Sequence, residues 1–165
     1  ETEIHGSDWA LNHWKLLEHN YRNSPYFSAF SDEIEQLLQT PFVLLSDLNL
    51  AFIKYIRAAM GLTTTISQST DYDSHGAKTD RLLSICTSCN ADVYVSGPAA
   101  KVYLDEEKFK AAFKKVEWFS YEGYPQYNQL WGPFEHGVSA LDLLFNCGPQ
   151  SRQFLEKTTS FVRSV

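Results

Sequence analysis

Thiols are scarce in this chain: three cysteines, an odd number, cannot build a disulfide framework of the kind that staples small secreted domains. None is needed, because 165 residues with 44% hydrophobic composition can bury a core of their own. A reducing cytoplasm is therefore the default setting. Long apolar runs are also missing. No stretch approaches the roughly 18 to 20 uninterrupted apolar residues of a membrane helix, and no basic segment followed by an apolar run opens the chain, so neither a membrane span nor an export signal is expected. Positive charge is in short supply, with 14 Lys and Arg against 20 Asp and Glu and a formal charge of -6. Nucleic acid is thereby excluded as a general partner, since such binding neutralises many phosphates with cations; a small anionic ligand is not excluded. Internal repeats, low-complexity stretches, phosphate-binding P-loop spacing and the dinucleotide-binding glycine motif are all absent. No cofactor and no metal is called for.

What is present is organised by periodicity. A helix is predicted from Ser7 or Asp8, with Ala10, Trp14, Leu17 and Tyr21 on one face. A second has Ser24 as cap and Pro25 in its first turn, carries Phe27, Phe30, Ile34, Leu37 and Leu38 inward, and is broken by Thr40 and Pro41. The third carries a stripe of Leu44, Leu48, Ala51, Tyr55 and Ala59 and ends at Gly61. Beyond it, "LTTTI" at 62 to 66, "DVYVS" at 92 to 96 and "KVEWF" at 115 to 119 read as strands, separated by helical stretches from 78 and 105. That alternation predicts an α/β fold in a single domain: a parallel sheet of at least three strands with crossover helices, preceded by a helical segment and followed by two helices. Residues 120 to 137, rich in Gly, Pro and aromatics, have no clean period and read as an ordered loop of the length typical of binding loops. Ser139 and Asp142 are spaced as a capping box ahead of Leu143, Leu144, Phe145 and a stop at Gly148, and a last helix is predicted from Ser151 to Val162.

In a parallel sheet, ligands sit beyond the carboxyl ends of the strands, where helix N-termini point inward. The strands run out into Ser67, Gln68 and Ser69, into Ser96, Gly97 and Pro98, and into Ser120, Tyr121 and Glu122. Gly97 would let a ligand approach the backbone, and Lys78, Thr79 and Arg81 stand at a helix start, where free amides and basic side chains favour an anion. Turn formation explains any single serine equally well. Asp47 and Asn49 interrupt an apolar helix and require either a core partner or a ligand. His13 reads as a buried or cleft histidine that hydrogen-bonds, and as a candidate base because imidazole changes charge near neutral pH. "CTSC" at 86 to 89 has zinc-ligand or redox spacing, but it lies on an apolar face with Cys147 as the only further thiol, and reads as packing cysteines.

Six stretches in order, among them "SPYF" (Ser24 to Phe27), "DLN" (Asp47 to Asn49), "KTDRLLSIC" (Lys78 to Cys86), "YVSGPAAKVYL" (Tyr94 to Leu104), "YPQ" (Tyr124 to Gln126) and "SALDLLFNCGP" (Ser139 to Pro149), resemble the WbqC-like family over nearly the whole chain. The resemblance implies a cytoplasmic bacterial protein of surface-polysaccharide (O-antigen) biosynthesis, and transfer of glycine or another acyl or aminoacyl group onto a nucleotide-linked or lipid-linked sugar. Lys78 and Arg81 would then hold phosphate and Ser96 or Tyr103 orient donor or acceptor. His13, Asp47 and Tyr103 form the candidate catalytic set; Asn49, Thr79, Gly97, Tyr124 and Gln126 complete the ligand set. The alternatives are a non-catalytic module for a glycan or nucleotide sugar, with the aromatic loop 121 to 134 as contact surface, or a scaffold with an exposed apolar patch. Members of that family are expected to begin with a further segment. This chain starts "ETEIHGSDW", so the expectation is that it is the larger, C-terminal part of such a protein, with the missing segment as a partner.

Overall fold

Where apolar side chains recur every three or four residues, the chain coils into helices that turn those faces inward. The structure, a computed structural model, describes residues 2–157. Helix α1 (Asp8–Tyr21) buries Ala10 and Trp14, α2 (Phe27–Gln39) buries Ile34 and Leu38, and α3 (Leu45–Ala59) buries Leu48. The chain divides into two compact units, one formed by the residues up to Thr64 together with those from Gly123 onward, the other by Thr65–Glu122.

The first unit is organised around the late helix α6 (Ala140–Cys147), in which every residue from Leu141 to Cys147 is buried. A helix buried on all sides sits in the middle of a core, here with two polar residues, Asp142 and Asn146, among its buried positions. The Phe145 ring lies 5.2 Å from that of Tyr21 and 5.1 Å from that of Phe27, tilted in both cases, an arrangement aromatic quadrupoles favour. Gly148 closes α6 with φ +52°, and a Cβ there would stand 2.4 Å from the Tyr26 ring, so backbone conformation and space both demand glycine.

In the second unit, α4 (Thr79–Ser88), β1 (Val93–Ser96), α5 (Glu106–Ala111) and β2 (Lys115–Trp118) follow one another. The two strands pair in parallel, Val93 opposite Lys115 through Ser96 opposite Trp118. Cys86, Leu104 and the fully buried Phe109 make its core, joined by Tyr94, Val116 and Trp118 from one face of the sheet. Asp105 caps α5 by accepting from the amides of Glu107 (3.1 Å) and Lys108 (3.4 Å).

Three expectations are corrected. The run at 62 to 66 is not paired into a ladder, and among the described residues the sheet has two strands rather than three. Leu62 instead packs on the core of the first unit, Thr63, Thr64 and Thr65 are exposed, and the Arg57 guanidinium donates to the Thr64 carbonyl. β-branched residues favour extended backbone, but a strand also needs a neighbour. Ser24 is no side-chain cap: its Oγ is buried without a partner among the described residues, while its carbonyl accepts from Phe27 N at 3.2 Å. The last helix appears over Gly148–Leu155 as a 3-10 helix that stops before the extended Glu156, and residues 158–162 of its expected span lie outside the described residues.

Candidate functional site

The long loop expected from composition runs without helix or strand from Phe119 to Ser139. A chain that forgoes regular backbone bonding must satisfy its polar groups otherwise. Gln129 supplies much of that bonding. Its Oε1 accepts from Glu135 N at 2.8 Å while its Nε2 donates to Glu135 O at 2.9 Å, copying a strand pair and closing the loop on itself. Trp131 Nε1 donates to the Asn20 carbonyl at 3.0 Å and ties the loop to the end of α1. The Tyr127 ring makes edge contacts with Phe134 (5.1 Å) and Phe154 (5.5 Å).

Beneath the loop lies Asp142, only 6% exposed. It does not complete the capping box its spacing predicts: Ser139 Oγ accepts from Leu141 N at 3.2 Å, but the Asp142 side chain turns away toward the loop. Its Oδ1 accepts from the Tyr127 hydroxyl at 2.7 Å and from Gln129 Nε2 at 3.1 Å. Among the described residues no cation pairs with it. A buried carboxylate in that position depends on hydrogen-bond donors for compensation, and its surroundings carry the mark of its charge. Burial first, and then Asp142, push the Tyr21 phenol up to about 12. The Cys147 thiol is pushed up to about 11 for the same reasons, and Tyr127 is raised by burial and by its hydrogen bond to Asp142.

Over this network the loop forms a cavity of about 280 Å³ lined by Gln126, Tyr127, Asn128, Gln129, Gly132 and Phe134. Its size approaches the roughly 300 Å³ at which small-ligand pockets begin. Among the described residues no charged side chain lines it. In the second unit a wider cavity of about 530 Å³ is lined by acidic and hydroxyl groups, among them Asp73, Asp80, Ser84 and Ser88. There Asp80 is engaged by Lys108 at 2.5 Å, and the Asp73–His75 pair at 3.3 Å is exposed and solvent-screened.

The residues singled out from sequence are distributed over both units. In the first, Gln126 lines the loop cavity and Tyr124 is half-buried with Lys157 Nζ 5.3 Å above its ring. His13 is exposed and, among the described residues, makes no hydrogen bond or ion pair, which corrects the expectation of a buried or cleft histidine; the buried face of α1 passes through Ala10 and Trp14 instead. Asp47 and Asn49 are exposed on either side of buried Leu48, so neither requires a partner. In the second, Thr79 is buried and committed, accepting from Asp105 N at 3.1 Å and donating to the Tyr103 carbonyl at 3.5 Å. The Tyr103 side chain is exposed. Lys78 and Arg81 are exposed and free of hydrogen bonds and ion pairs among the described residues, because Asp80 is taken by Lys108, Asp73 by His75 and Asp71 by the Gln68 amide (2.8 Å). Gly97, after Ser96, has φ -70°, and a Cβ there would meet Tyr121 Oη at an ordinary 3.6 Å, so no special backbone approach is built in. Cys89 is exposed rather than inward, and Cys86 is buried. Among the described residues no group of three or more His, Cys, Asp or Glu is placed to hold a metal ion.

Asp142 reads from sequence only as a capping residue, and Tyr127, Asn128 and Gln129 only as part of the loop 121 to 134 offered as a contact surface; none is named as a site residue. The available signal was an acid inside "ALDLLFNC", where a capping role explained it too readily.

These features define a protein of mixed helix and strand whose helical unit, built around one buried helix, presents an uncharged polar pocket in a long loop. No helix among the described residues is long and apolar enough to cross a membrane. The WbqC-like protein family matches residues 1–154, and the chain belongs to that family, as the spaced stretches of its sequence indicated. The chain is similar to an uncharacterized protein of Mycobacterium tuberculosis, Rv1507c, with 42% identity over 156 residues, 94% of this chain and 68% of that protein. No solved structure matches.

Proposed function

We propose that the chain acts in surface-polysaccharide biosynthesis, the setting its family implies, and that it binds a sugar-bearing ligand in the loop cavity. The observation that carries this reading is the lining: carboxamides from Gln126, Asn128 and Gln129, the Tyr127 phenol and the Phe134 ring, without a charged side chain. Sugar hydroxyls both donate and accept, as carboxamides do, so a polar lining of carboxamides with one phenol and one aromatic ring suits a sugar. Ligand binding stabilises a fold by mass action, so a thermal-shift screen of free and nucleotide-linked sugars is expected to raise Tm. The rise should disappear in Gln126→Ala/Asn128→Ala. A full screen without any shift would refute the reading.

A second reading, transfer of glycine or another acyl or aminoacyl group onto a phosphate-bearing sugar ligand in the cytoplasm, is favoured by exposed Lys78 and Arg81 at the start of the ten-residue helix α4. Free amides and the helix dipole there suit an anion. In this reading the exposed Tyr103 serves proton transfer, with Ser96 orienting the ligand. Arg81→Lys keeps the charge and loses the planar fork. It and Ser96→Ala should each weaken binding of a nucleotide diphosphate sugar several-fold, and unchanged affinity in both would remove this site.

A further inference from the structure

We infer that the loop cavity selects an uncharged sugar unit, through that unit's hydroxyl donors, over the same sugar carrying phosphate. This rests on the sugar-site reading above and names the ligand class of that site. The reason lies in how Asp142 disposes of the protons around it. Tyr127 has one hydroxyl proton and gives it to Asp142 Oδ1 at 2.7 Å. Gln129 Nε2 is also spent, on Asp142 Oδ1 at 3.1 Å, on Tyr127 Oη at 3.4 Å and on the Glu135 carbonyl at 2.9 Å, while its Oε1 is occupied by Glu135 N at 2.8 Å. An amide nitrogen carries two protons and a phenol one. Neither inner residue of the lining therefore retains a free donor for an incoming anion, whereas the Tyr127 oxygen keeps acceptor capacity for a ligand hydroxyl.

Charge points the same way. An anion in the cavity would face a buried carboxylate across the Tyr127 and Gln129 side chains, with no Lys or Arg in the lining and no cation paired with Asp142 among the described residues. Like charges at short range repel most where water is excluded. The raised phenol of Tyr21 and thiol of Cys147 record the influence of burial and of the same negative charge. Side-chain donors for the ligand's own oxygens are left to Gln126 and Asn128, both exposed.

The test uses the full chain labelled with 15N and follows the side-chain amides of Gln126, Asn128 and Gln129 and the Trp131 indole. Methyl glycosides of glucose, galactose and N-acetylglucosamine are titrated beside their 6-phosphates and beside inorganic phosphate. Expected is perturbation of these resonances by at least one glycoside, with its 6-phosphate binding at least fivefold more weakly and inorganic phosphate without effect there. Asp142→Asn should bring the glycoside and its phosphate to within twofold of each other. Should that variant fail to fold by circular dichroism, Tyr127→Phe serves instead: it should weaken the glycoside several-fold while the preference against phosphate persists. A 6-phosphate that binds at these resonances as tightly as its glycoside would overturn the inference and leave the sugar site standing. Perturbation by no sugar at all would overturn both.

Discussion

Replacing Asp142 probes whether the loop is held by a buried anion. Asp142→Ala removes the acceptor shared by Tyr127 Oη and Gln129 Nε2. Each buried donor left without an acceptor costs about 1–3 kcal/mol, and the vacated space adds a cavity term. Against this stands relief from keeping a carboxylate out of water. The net expectation is a loss of about 2–4 kcal/mol, from two orphaned neutral donors and the vacated space less that relief. Asp142→Asn keeps an oxygen for both donors while giving up charge assistance, roughly half the strength of such bonds, and should cost about 1–2 kcal/mol. Urea unfolding measures both as shifts in midpoint at constant slope. Tyr127→Phe removes one of the same bonds, so the cycle Tyr127→Phe/Asp142→Asn should show about 1 kcal/mol of coupling. In Asp142→Asn the Tyr21 phenol, at about 12 in the wild type, should move only part of the way toward its ordinary value, because burial is its largest cause and remains. An Asp142→Asn protein at least as stable as the wild type, with zero coupling to Tyr127, would refute the reasoning.

Gly148→Ala should cost about 2–5 kcal/mol, combining a left-handed backbone at φ +52° with a Cβ 2.4 Å from the Tyr26 ring; a change below about 0.5 kcal/mol in urea melts, a typical surface effect, would contradict it. Among the thiols, exposed Cys89 should react with a disulfide reagent first, while Cys86 and Cys147, both buried and both raised by burial, should react only as the protein opens; equal rates would count against the packing. Tyr21 and Tyr55 are both pushed up to about 12, Tyr55 by burial and then Glu33. The fold favours their neutral forms, so that contribution is complete below the unfolded phenol value of about 10 and is lost as pH rises through about 12. Absorbance at 295 nm should show a late group among the nine tyrosines, and a single wave near pH 10 with the fold retained would refute this.

The parts of the fold legible in sequence were those where burial and periodicity agree. Trp14, Ile34 and Tyr55 announce α1 to α3 because each lies on an apolar stripe that meets one core. Val93–Ser96 and Lys115–Trp118 were legible as strands, since alternate residues face α4 and α5. Thr63 to Thr65 misled because side-chain branching reports a conformational preference, whereas pairing depends on which chain lies alongside. Asp47 and Asn49 looked anomalous only under the assumption that α3 is buried all round; its exposed face accommodates them. Asp142 is the converse case. Its spacing from Ser139 satisfied a local rule, while its role is set by Tyr127 and Gln129, thirteen to fifteen positions earlier, through side-chain bonds that no periodicity encodes.

The most direct measurement of where the ligand binds is a crystal structure grown with a saturating methyl glycoside of a sugar that raises Tm. The prediction is a single sugar ring in the loop cavity, its hydroxyls within hydrogen-bond distance of the Gln126 and Asn128 carboxamides and of Tyr127 Oη, with the Tyr127–Asp142 bond at 2.7 Å preserved. A sugar bound instead beside Lys78 and Arg81, with the loop cavity holding only solvent, would contradict it.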